Sequence, residues 1–184
     1  MIIRKLFKFE GAHVVRNCHT AKCKFSVHGH SYRAEVLLSG HTLDDGQMLV
    51  DFTLVKRWLG GMIDAFDHTM LIWDQDNEDF IKDMVKHSKR YIILPVSPSA
   101  EQLSRLLLRW CSILAVRGCM SDGYNPLDIK VTSVIVHETD TGYAQAGWDD
   151  ITGRREHELK PSAATFSPDL LETYPILKAL QETV

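Results

Sequence analysis

Three segments of the chain alternate between apolar and polar side chains with a period of two, which is typical of a β-strand with one buried face. They are residues 2–10, 31–40 and 128–137. A fourth segment, 143–148, follows the turn sequence T-D-T-G and predicts a short return strand. Because strands joined by short connections pair antiparallel, the sequence predicts an antiparallel sheet of four strands.

Two helices are predicted between the second and third strands. Residues 53–63 carry apolar side chains at helical spacing behind Thr53, which we expect to be the N-cap. Ser99 begins a second helix with Glu101 in its first turn, and Gly118 is its expected end. The order strand, strand, helix, helix, strand, strand predicts an α+β fold with both helices on one face of the sheet.

The remaining segments predict less regular structure. Residues 73–90 indicate a surface helical turn, and residues 167–181 a terminal helix interrupted at Pro175. We expect one domain over residues 1–148, followed by a partly helical C-terminal extension over residues 149–184.

Composition excludes several classes of protein. The chain has 184 residues with 21 Lys+Arg against 24 Asp+Glu, so its formal charge is −3 and no nucleic-acid partner is expected. The first residues lack the apolar stretch of a secretion signal, and no run approaches the ~20 apolar residues of a membrane span. The four Cys have neither paired spacing nor the density of a disulfide scaffold. We therefore expect a cytoplasmic protein with reduced thiols and no contact with a membrane.

Nine histidines are present, and three of them suit a metal ion. His28 and His30 flank Gly29 just before the second strand, and His13 follows the first. In extended chain, residues i and i+2 project to the same side, and an antiparallel neighbour can add the third ligand. Three protein ligands leave one position of a zinc ion open, which is the catalytic arrangement. The alternative is a chance His-x-His without a metal.

Four further residues could carry chemistry. Cys23 lies near the histidines, where a cation would favour its thiolate form as a general base; Cys18 competes for this role, and an inert thiol is the alternative. Asp67 and His68 could form a proton relay, or be an ordinary solvated loop. Glu138 could accept two parallel hydrogen bonds from a heterocycle or join the relay, or be a plain turn glutamate.

Six motifs together resemble the 6-pyruvoyltetrahydropterin synthase family and, within it, the bacterial 6-carboxytetrahydropterin synthases of queuosine biosynthesis. The resemblance covers roughly residues 2–148. The motifs are F-E-G-A-H at 9–13, Cys23 ahead of H-G-H-S-Y at 28–32, V-D-F at 50–52, F-D-H-T-M-L at 66–71, S-P-S-A-E at 97–101 and H-E-T at 137–139.

The resemblance implies a tunnelling fold, in which each subunit supplies a four-stranded antiparallel sheet with two helices and subunits assemble into barrels, typically a hexamer with active sites between subunits. It also implies a role for each candidate residue. Zinc would be bound by His13, His28 and His30, protons would be moved by Cys23, Asp67 and His68, and the pterin ring would be anchored by Glu138, which is also assigned to the relay.

The activity that the resemblance implies is a zinc-dependent lyase. It would convert 7,8-dihydroneopterin triphosphate to 6-carboxy-5,6,7,8-tetrahydropterin with release of acetaldehyde and triphosphate. Arg16, Lys22 and Lys24 could meet the triphosphate. The alternatives are 6-pyruvoyltetrahydropterin synthase, an aldolase-like reaction on the same substrate in folate synthesis, and a non-catalytic binding module stabilised by zinc.

Overall fold

One seven-stranded sheet organises the chain. The computed structural model describes residues 1–151 and 156–182. Across the sheet the strands follow the order β6-β5-β2-β1-β3-β4-β7. Their bounds are Ile2–His13 (β1), His28–Ser39 (β2), Thr69–Trp73 (β3), Tyr91–Leu94 (β4), Lys130–His137 (β5), Tyr143–Gly147 (β6) and Thr165–Phe166 (β7).

Six α-helices accompany the sheet in the described residues. They are Ala21–Phe25 (α1), Phe52–Asp64 (α2), Glu78–His87 (α3), Ala100–Ser121 (α4), Pro168–Thr173 (α5) and Pro175–Gln181 (α6). The predicted helices over 53–63 and after Ser99 are therefore confirmed, as are the helical turn within 73–90 and the interruption at Pro175. The predicted N-cap at Thr53 is wrong, because the Asp51 carboxylate accepts the hydrogen bond from the Thr53 N–H.

The prediction of a four-stranded antiparallel sheet is wrong in its extent. The four predicted strands exist and pair antiparallel in the order β6-β5-β2-β1. Beyond β1, however, β3 and β4 add parallel to it, and β7 closes this side antiparallel to β4. Strands β3 and β4 are short and almost wholly apolar, with helices on both faces, so the alternation that identifies a half-buried strand is missing from them.

Both faces of the added strands are covered. Leu71 lies in the main core with α2 and α4, whereas Met70 and Ile72 form a second cluster with Phe80 and Met84 of α3. The main core therefore lies on the α2–α4 face, as predicted, and α3 packs on the opposite face.

The C-terminal segment packs into the same core. Leu159, Phe166, Leu170 and Leu177 are buried there, and the Trp110 indole N–H donates to the Leu159 carbonyl at 3.0 Å. No helix of the described residues is long and apolar enough to cross a lipid bilayer.

The contact between α2 and α4 depends on Gly118, where helix α4 continues past its expected end. A Cβ atom at Gly118 would overlap the Trp58 ring, whereas a Cβ at Gly60 meets only Lys56 Cγ at 3.7 Å.

We predict that Gly118→Ala lowers the free energy of unfolding by roughly 1–3 kcal/mol, because overpacking displaces Trp58. The matched Gly60→Ala should raise it by about 0.5–1 kcal/mol, because alanine favours a helix. Urea unfolding of both variants measures this, and equal effects would contradict the predicted clash.

Candidate functional site

The pairing of β1 with β2 brings three histidine side chains to one place. His13 lies directly opposite His28 in the antiparallel register, and His30 lies opposite Gly11. One nitrogen of each of the three imidazoles lies within 4.8 Å of the others. We call His13, His28 and His30 the histidine triad. Both His28 and His30 belong to β2 itself, which begins three residues earlier than the alternation predicts.

Backbone carbonyls fix the orientation of two triad rings. His13 Nδ1 lies 2.6 Å from the Pro98 carbonyl oxygen, and His28 Nδ1 lies 3.0 Å from that of Ser26. Because a carbonyl oxygen can only accept, each Nδ1 carries the proton and donates it. The lone pair is thereby left on Nε2, which is the usual arrangement around a bound metal ion.

Burial keeps His13 neutral. It lowers the pKa of His13 to about 4, assisted by the charges of His28 and His30 and opposed by the hydrogen bond to Pro98. A neutral imidazole is the form that binds a metal ion. The triad therefore fits a divalent ion of the zinc type, with three nitrogen ligands and no fourth protein ligand within the group.

Two side chains on the same face complete the surroundings of the triad. The Tyr32 hydroxyl lies 3.2 Å from His13 Nδ1, and Glu138 Oε1 lies 3.6 Å from His13 Nε2. Burial raises the pKa of Tyr32, and the charge of Glu138 adds to this effect, so the phenol stays protonated. Since His13 is neutral at pH 7, its contact with Glu138 is not an ion pair there.

Cys23 lies on the short helix α1, which is tied to the end of β1. The Val15 N–H donates to the Cys23 carbonyl at 3.0 Å, so the thiol is carried beside the strand that ends at His13. The Cys18 thiol instead donates to the Thr20 carbonyl at 3.2 Å. Both cysteines are half-buried free thiols.

Arg16 connects helix α1 to Asp76, which lies two residues before helix α3. Its Nε lies 2.8 Å and 2.9 Å from the two carboxylate oxygens of Asp76, and its Nη1 donates to the Lys24 carbonyl at 3.2 Å. The guanidinium also lies 4.4 Å from the centre of the Phe80 ring. A buried carboxylate thus already engages Arg16, and the expectation that this residue meets a triphosphate stays a prediction. Lys22 and Lys24 lie on α1 itself.

Asp67 and His68, the relay pair, form a hydrogen-bonded unit just before β3. His68 Nδ1 donates to Asp67 Oδ2 at 2.8 Å, and Asp67 Oδ1 accepts from the Glu10 N–H at 2.7 Å. Burial alone would raise the pKa of Asp67, but the hydrogen bonds from Glu10 and His68 outweigh it, so this pKa lies below its usual value. Asp67 is thus ionised at neutral pH and accepts the hydrogen bond from His68 as a carboxylate.

The relay pair and the triad remain apart within one chain. Among the described residues, neither His68 nor Cys23 hydrogen-bonds to a triad histidine. The His68 side chain is 73% exposed and lines an open cavity of about 880 Å³ that reaches His30, Lys89 and Arg90.

Two contacts of the site escape prediction from sequence, whereas a third leaves a recognisable pattern. The Pro98 carbonyl is 85 residues from its partner His13, and Asp76 is 60 residues from Arg16. Neither separation leaves a local pattern. Tyr32 does leave one, because it lies two residues after His30 and so shares its face of β2.

Comparison with known sequences identifies related proteins. The model of the family described as 6-pyruvoyl tetrahydropterin synthase matches residues 2–147. The chain is 36% identical over 151 residues to 6-carboxy-5,6,7,8-tetrahydropterin synthase of Helicobacter pylori (strain J99), and the match covers 82% of this chain and 74% of that protein.

Solved structures share the fold. An uncharacterized protein from Wolinella succinogenes has a TM-score of 0.63 at 19% identity, over 80% of this chain and 98% of that one. Caenorhabditis elegans 6-pyruvoyl tetrahydropterin synthase has a TM-score of 0.52 at 20% identity, over 80% of this chain and 94% of that one.

The lowered pKa of His13 predicts an acid-sensitive fold in the metal-free protein. Unfolded His13 takes up a proton below about pH 6.5, whereas folded His13 does so only below about pH 4. Stability is therefore present above pH 6.5 and lost as the pH falls toward 4. Between pH 7 and 4, urea unfolding should show a loss about 3 kcal/mol larger for the unmodified chain than for His13→Gln. Equal losses would contradict the prediction.

Proposed function

Because the chain belongs to the 6-pyruvoyl tetrahydropterin synthase family, we propose that it is a zinc-dependent 6-carboxy-5,6,7,8-tetrahydropterin synthase. The reaction converts 7,8-dihydroneopterin triphosphate and one water to 6-carboxy-5,6,7,8-tetrahydropterin, acetaldehyde and triphosphate. The observation that carries the proposal is the histidine triad, in which one nitrogen of each ring lies within 4.8 Å of the others and the Glu138 carboxylate lies 3.6 Å from His13 Nε2.

The triad would hold the zinc ion through three imidazole nitrogens. When bound, zinc supplies a Lewis acid that polarises the side-chain oxygens of the substrate and acidifies the adjacent C–H. The protein fixes the two rings of His13 and His28 through the Pro98 and Ser26 carbonyls, so the ligand nitrogens are already oriented before the ion binds.

Glu138 would anchor the pterin ring. Its carboxylate lies at the end of β5, 31% exposed, and 3.6 Å from His13 Nε2. A carboxylate can accept two parallel hydrogen bonds from the N–H groups of a pterin. Because Glu138 lies close to the triad, a pterin ring bound to its carboxylate would lie next to the metal ion. The side chain of the substrate would then lie over the metal ion.

Cys23 would accept the proton from the substrate. A thiol near a divalent cation has its thiolate form favoured, which makes it a base at neutral pH. The hydrogen bonds from Val15 to Cys23 and from Arg16 to Lys24 attach α1 to the residues two and three positions after His13. The Cys18 thiol is already engaged with a carbonyl, which supports Cys23 as the reacting thiol.

The relay pair would act in a site completed by a second subunit. Its exposed imidazole carries a free Nε2 and is held by an ionised Asp67, which suits it to exchange protons with a substrate bound elsewhere. Since no hydrogen bond of the described residues joins the pair to the triad of its own chain, we propose that it serves the triad of a neighbour.

Two open strand edges support such an assembly. On its outer side β1 pairs with β3 only at Gly11 and Ala12, and the turn at Asp67 and His68 occupies Glu10, so among the described residues the edge before Glu10 has no strand partner. At the other end of the sheet, β6 has β5 as its only neighbour among the described strands. Pairing of these edges between copies would close a barrel, and two such rings give the homohexamer that we propose.

The remaining features fit a small-molecule pathway. Lys22 and Lys24 on α1 are the residues that we propose to meet the triphosphate. The four cysteines are free thiols, which fits the reducing cytoplasm as the location. We propose that the product enters queuosine or related 7-deazaguanine synthesis.

Product analysis tests the function directly. The zinc-loaded protein should convert dihydroneopterin triphosphate to the carboxy product with acetaldehyde, identified by mass spectrometry. Cys23→Ala should bind zinc equally but turn over at least about 10²-fold more slowly, while the matched Cys18→Ala stays active. A pyruvoyl product would instead identify the chain as a 6-pyruvoyltetrahydropterin synthase. No turnover by folded, zinc-loaded protein would favour a binding module.

Mixed oligomers test the shared site. Cys23→Ala and His68→Ala should each be inactive alone, because each removes a proton-transfer group. Unfolded together and refolded as mixed oligomers, they should regain partial activity, since some sites combine an intact thiol with an intact relay pair from different chains. Light scattering monitors assembly, and mixed oligomers without activity would show that both groups act within one chain.

A further inference from the structure

The turn that carries the relay pair is contacted from the side by Arg90. Arg90 Nη2 donates to the Asp64 carbonyl at 3.1 Å, at the end of helix α2 and three residues before Asp67. Arg90 itself immediately precedes β4, and its carbonyl accepts from the Met70 N–H at 3.1 Å. One residue therefore links the end of α2 to the start of β3, and these two ends enclose the relay turn.

The C-terminal segment contacts the Arg90 side chain through Tyr174. The guanidinium carbon lies 5.5 Å from the centre of the Tyr174 ring, and Nη2 lies 3.4 Å from the Tyr174 hydroxyl. Tyr174 lies between α5 and α6 and packs against the main core. Asp67 and Tyr174 also line the same small cavity of about 380 Å³. The C-terminal segment, for which the sequence predicts no function, thus reaches the relay turn.

The tail is itself firmly attached near this point. The Ser167 N–H donates to the Tyr91 carbonyl at 3.0 Å, and Lys89 forms an ion pair with Asp169 at 2.8 Å. Leu170 and Leu177 on either side of Tyr174 are fully buried. Tyr174 is therefore held between two buried anchors rather than at a free chain end.

The relay turn requires such support because its backbone is unusual. His68 has φ of 54°, a left-handed conformation that side chains other than glycine rarely adopt. Its N–H donates to the Glu10 carbonyl at 2.6 Å, but most of its side chain is exposed to solvent. Strained conformations persist where the surrounding structure over-determines them.

We infer that Arg90 and Tyr174 are positioning residues for the Asp67–His68 pair, and that the C-terminal segment braces the relay turn through them. The catalytic part of this inference rests on the proposed function, whereas the structural part does not. By holding the end of α2 against β4, the brace fixes the direction in which His68 Nε2 faces the cavity.

The charge of Arg90 also bears on the relay. Asp67 is surrounded by His68 on its own turn, Lys8 and Glu10 on β1, Asp64 on α2 and Arg90 before β4. Of these, His68 and Arg90 favour the ionised form of Asp67 by their charge. Removing the Arg90 charge should therefore raise the pKa of Asp67 and move the acidic limb of the activity profile to higher pH.

Amide hydrogen exchange and kinetics on the full chain test the brace. Arg90→Ala removes the contacts of Arg90 with both Asp64 and Tyr174. Tyr174→Ala removes only the contact with the C-terminal segment. Arg90→Lys keeps the positive charge. The matched control is Arg117→Ala, because Arg117 also joins the tail to the body, through the Ala179 carbonyl at 2.8 Å, but on α4.

In Arg90→Ala and Tyr174→Ala, exchange of the His68 amide should be about tenfold faster and kcat about tenfold lower with KM nearly unchanged, because the pair is misplaced but the substrate still binds. Arg90→Lys should keep the acidic limb of the pH profile, and Arg117→Ala should match the unmodified chain in all readouts. If Arg90→Ala does not fold, Tyr174→Ala carries the same test.

Unchanged exchange in both alanine variants, or the same acceleration in Arg117→Ala, would overturn the brace. Faster exchange with unchanged kcat and an unshifted pH profile would overturn its role in positioning the relay. If the unmodified chain shows no turnover while exchange at His68 accelerates in the variants, the proposed function fails and the structural brace stands.

Discussion

The register of β1 against β2 is the constraint on which the rest of the site depends. The two strands pair from Ile2 opposite Ser39 to His13 opposite His28. A slip of one residue would turn His28 and His30 to the opposite face, away from His13. The register is protected by burial, because Phe9 and Tyr32 stack at 4.9 Å between ring centres on the core face. Hydrophobic packing along the strands thus fixes the geometry of the polar groups at their end.

The site combines a preorganised cluster with an exposed one. Around the triad, burial keeps His13 neutral and backbone carbonyls fix the proton positions, so the metal ligands are set by the folded chain. The relay pair has the opposite character: its geometry is fixed by hydrogen bonds to the backbone of Glu10, but its imidazole faces solvent. Among the described residues no hydrogen bond joins the two clusters within one chain, and the oligomer that we propose would bring them together.

The alternating strands and amphipathic helices could be predicted because each has one buried face, and the period of its apolar residues reports that face. The parallel strands β3 and β4 could not, because both of their faces are covered and the sequences TMLIW and YIIL show no alternation. Strand β7 has only two residues, too few for any period. In the site, His28 and His30 are marked by spacing within one strand. The contacts from Pro98 to His13, from Asp76 to Arg16 and from Tyr174 to Arg90 arise only when distant segments pack together.

We propose that the triad alone holds the metal and leaves Cys23 free to move protons. X-ray absorption at the zinc edge of the zinc-loaded protein distinguishes the ligand types, since Zn–N distances are ~2.0–2.1 Å and Zn–S distances ~2.3 Å. We expect three imidazole nitrogens with a further oxygen and no sulfur, and the same spectrum for Cys23→Ala. A sulfur ligand that disappears in Cys23→Ala, or a zinc site that persists when His28 and His30 are both replaced by alanine, would contradict it.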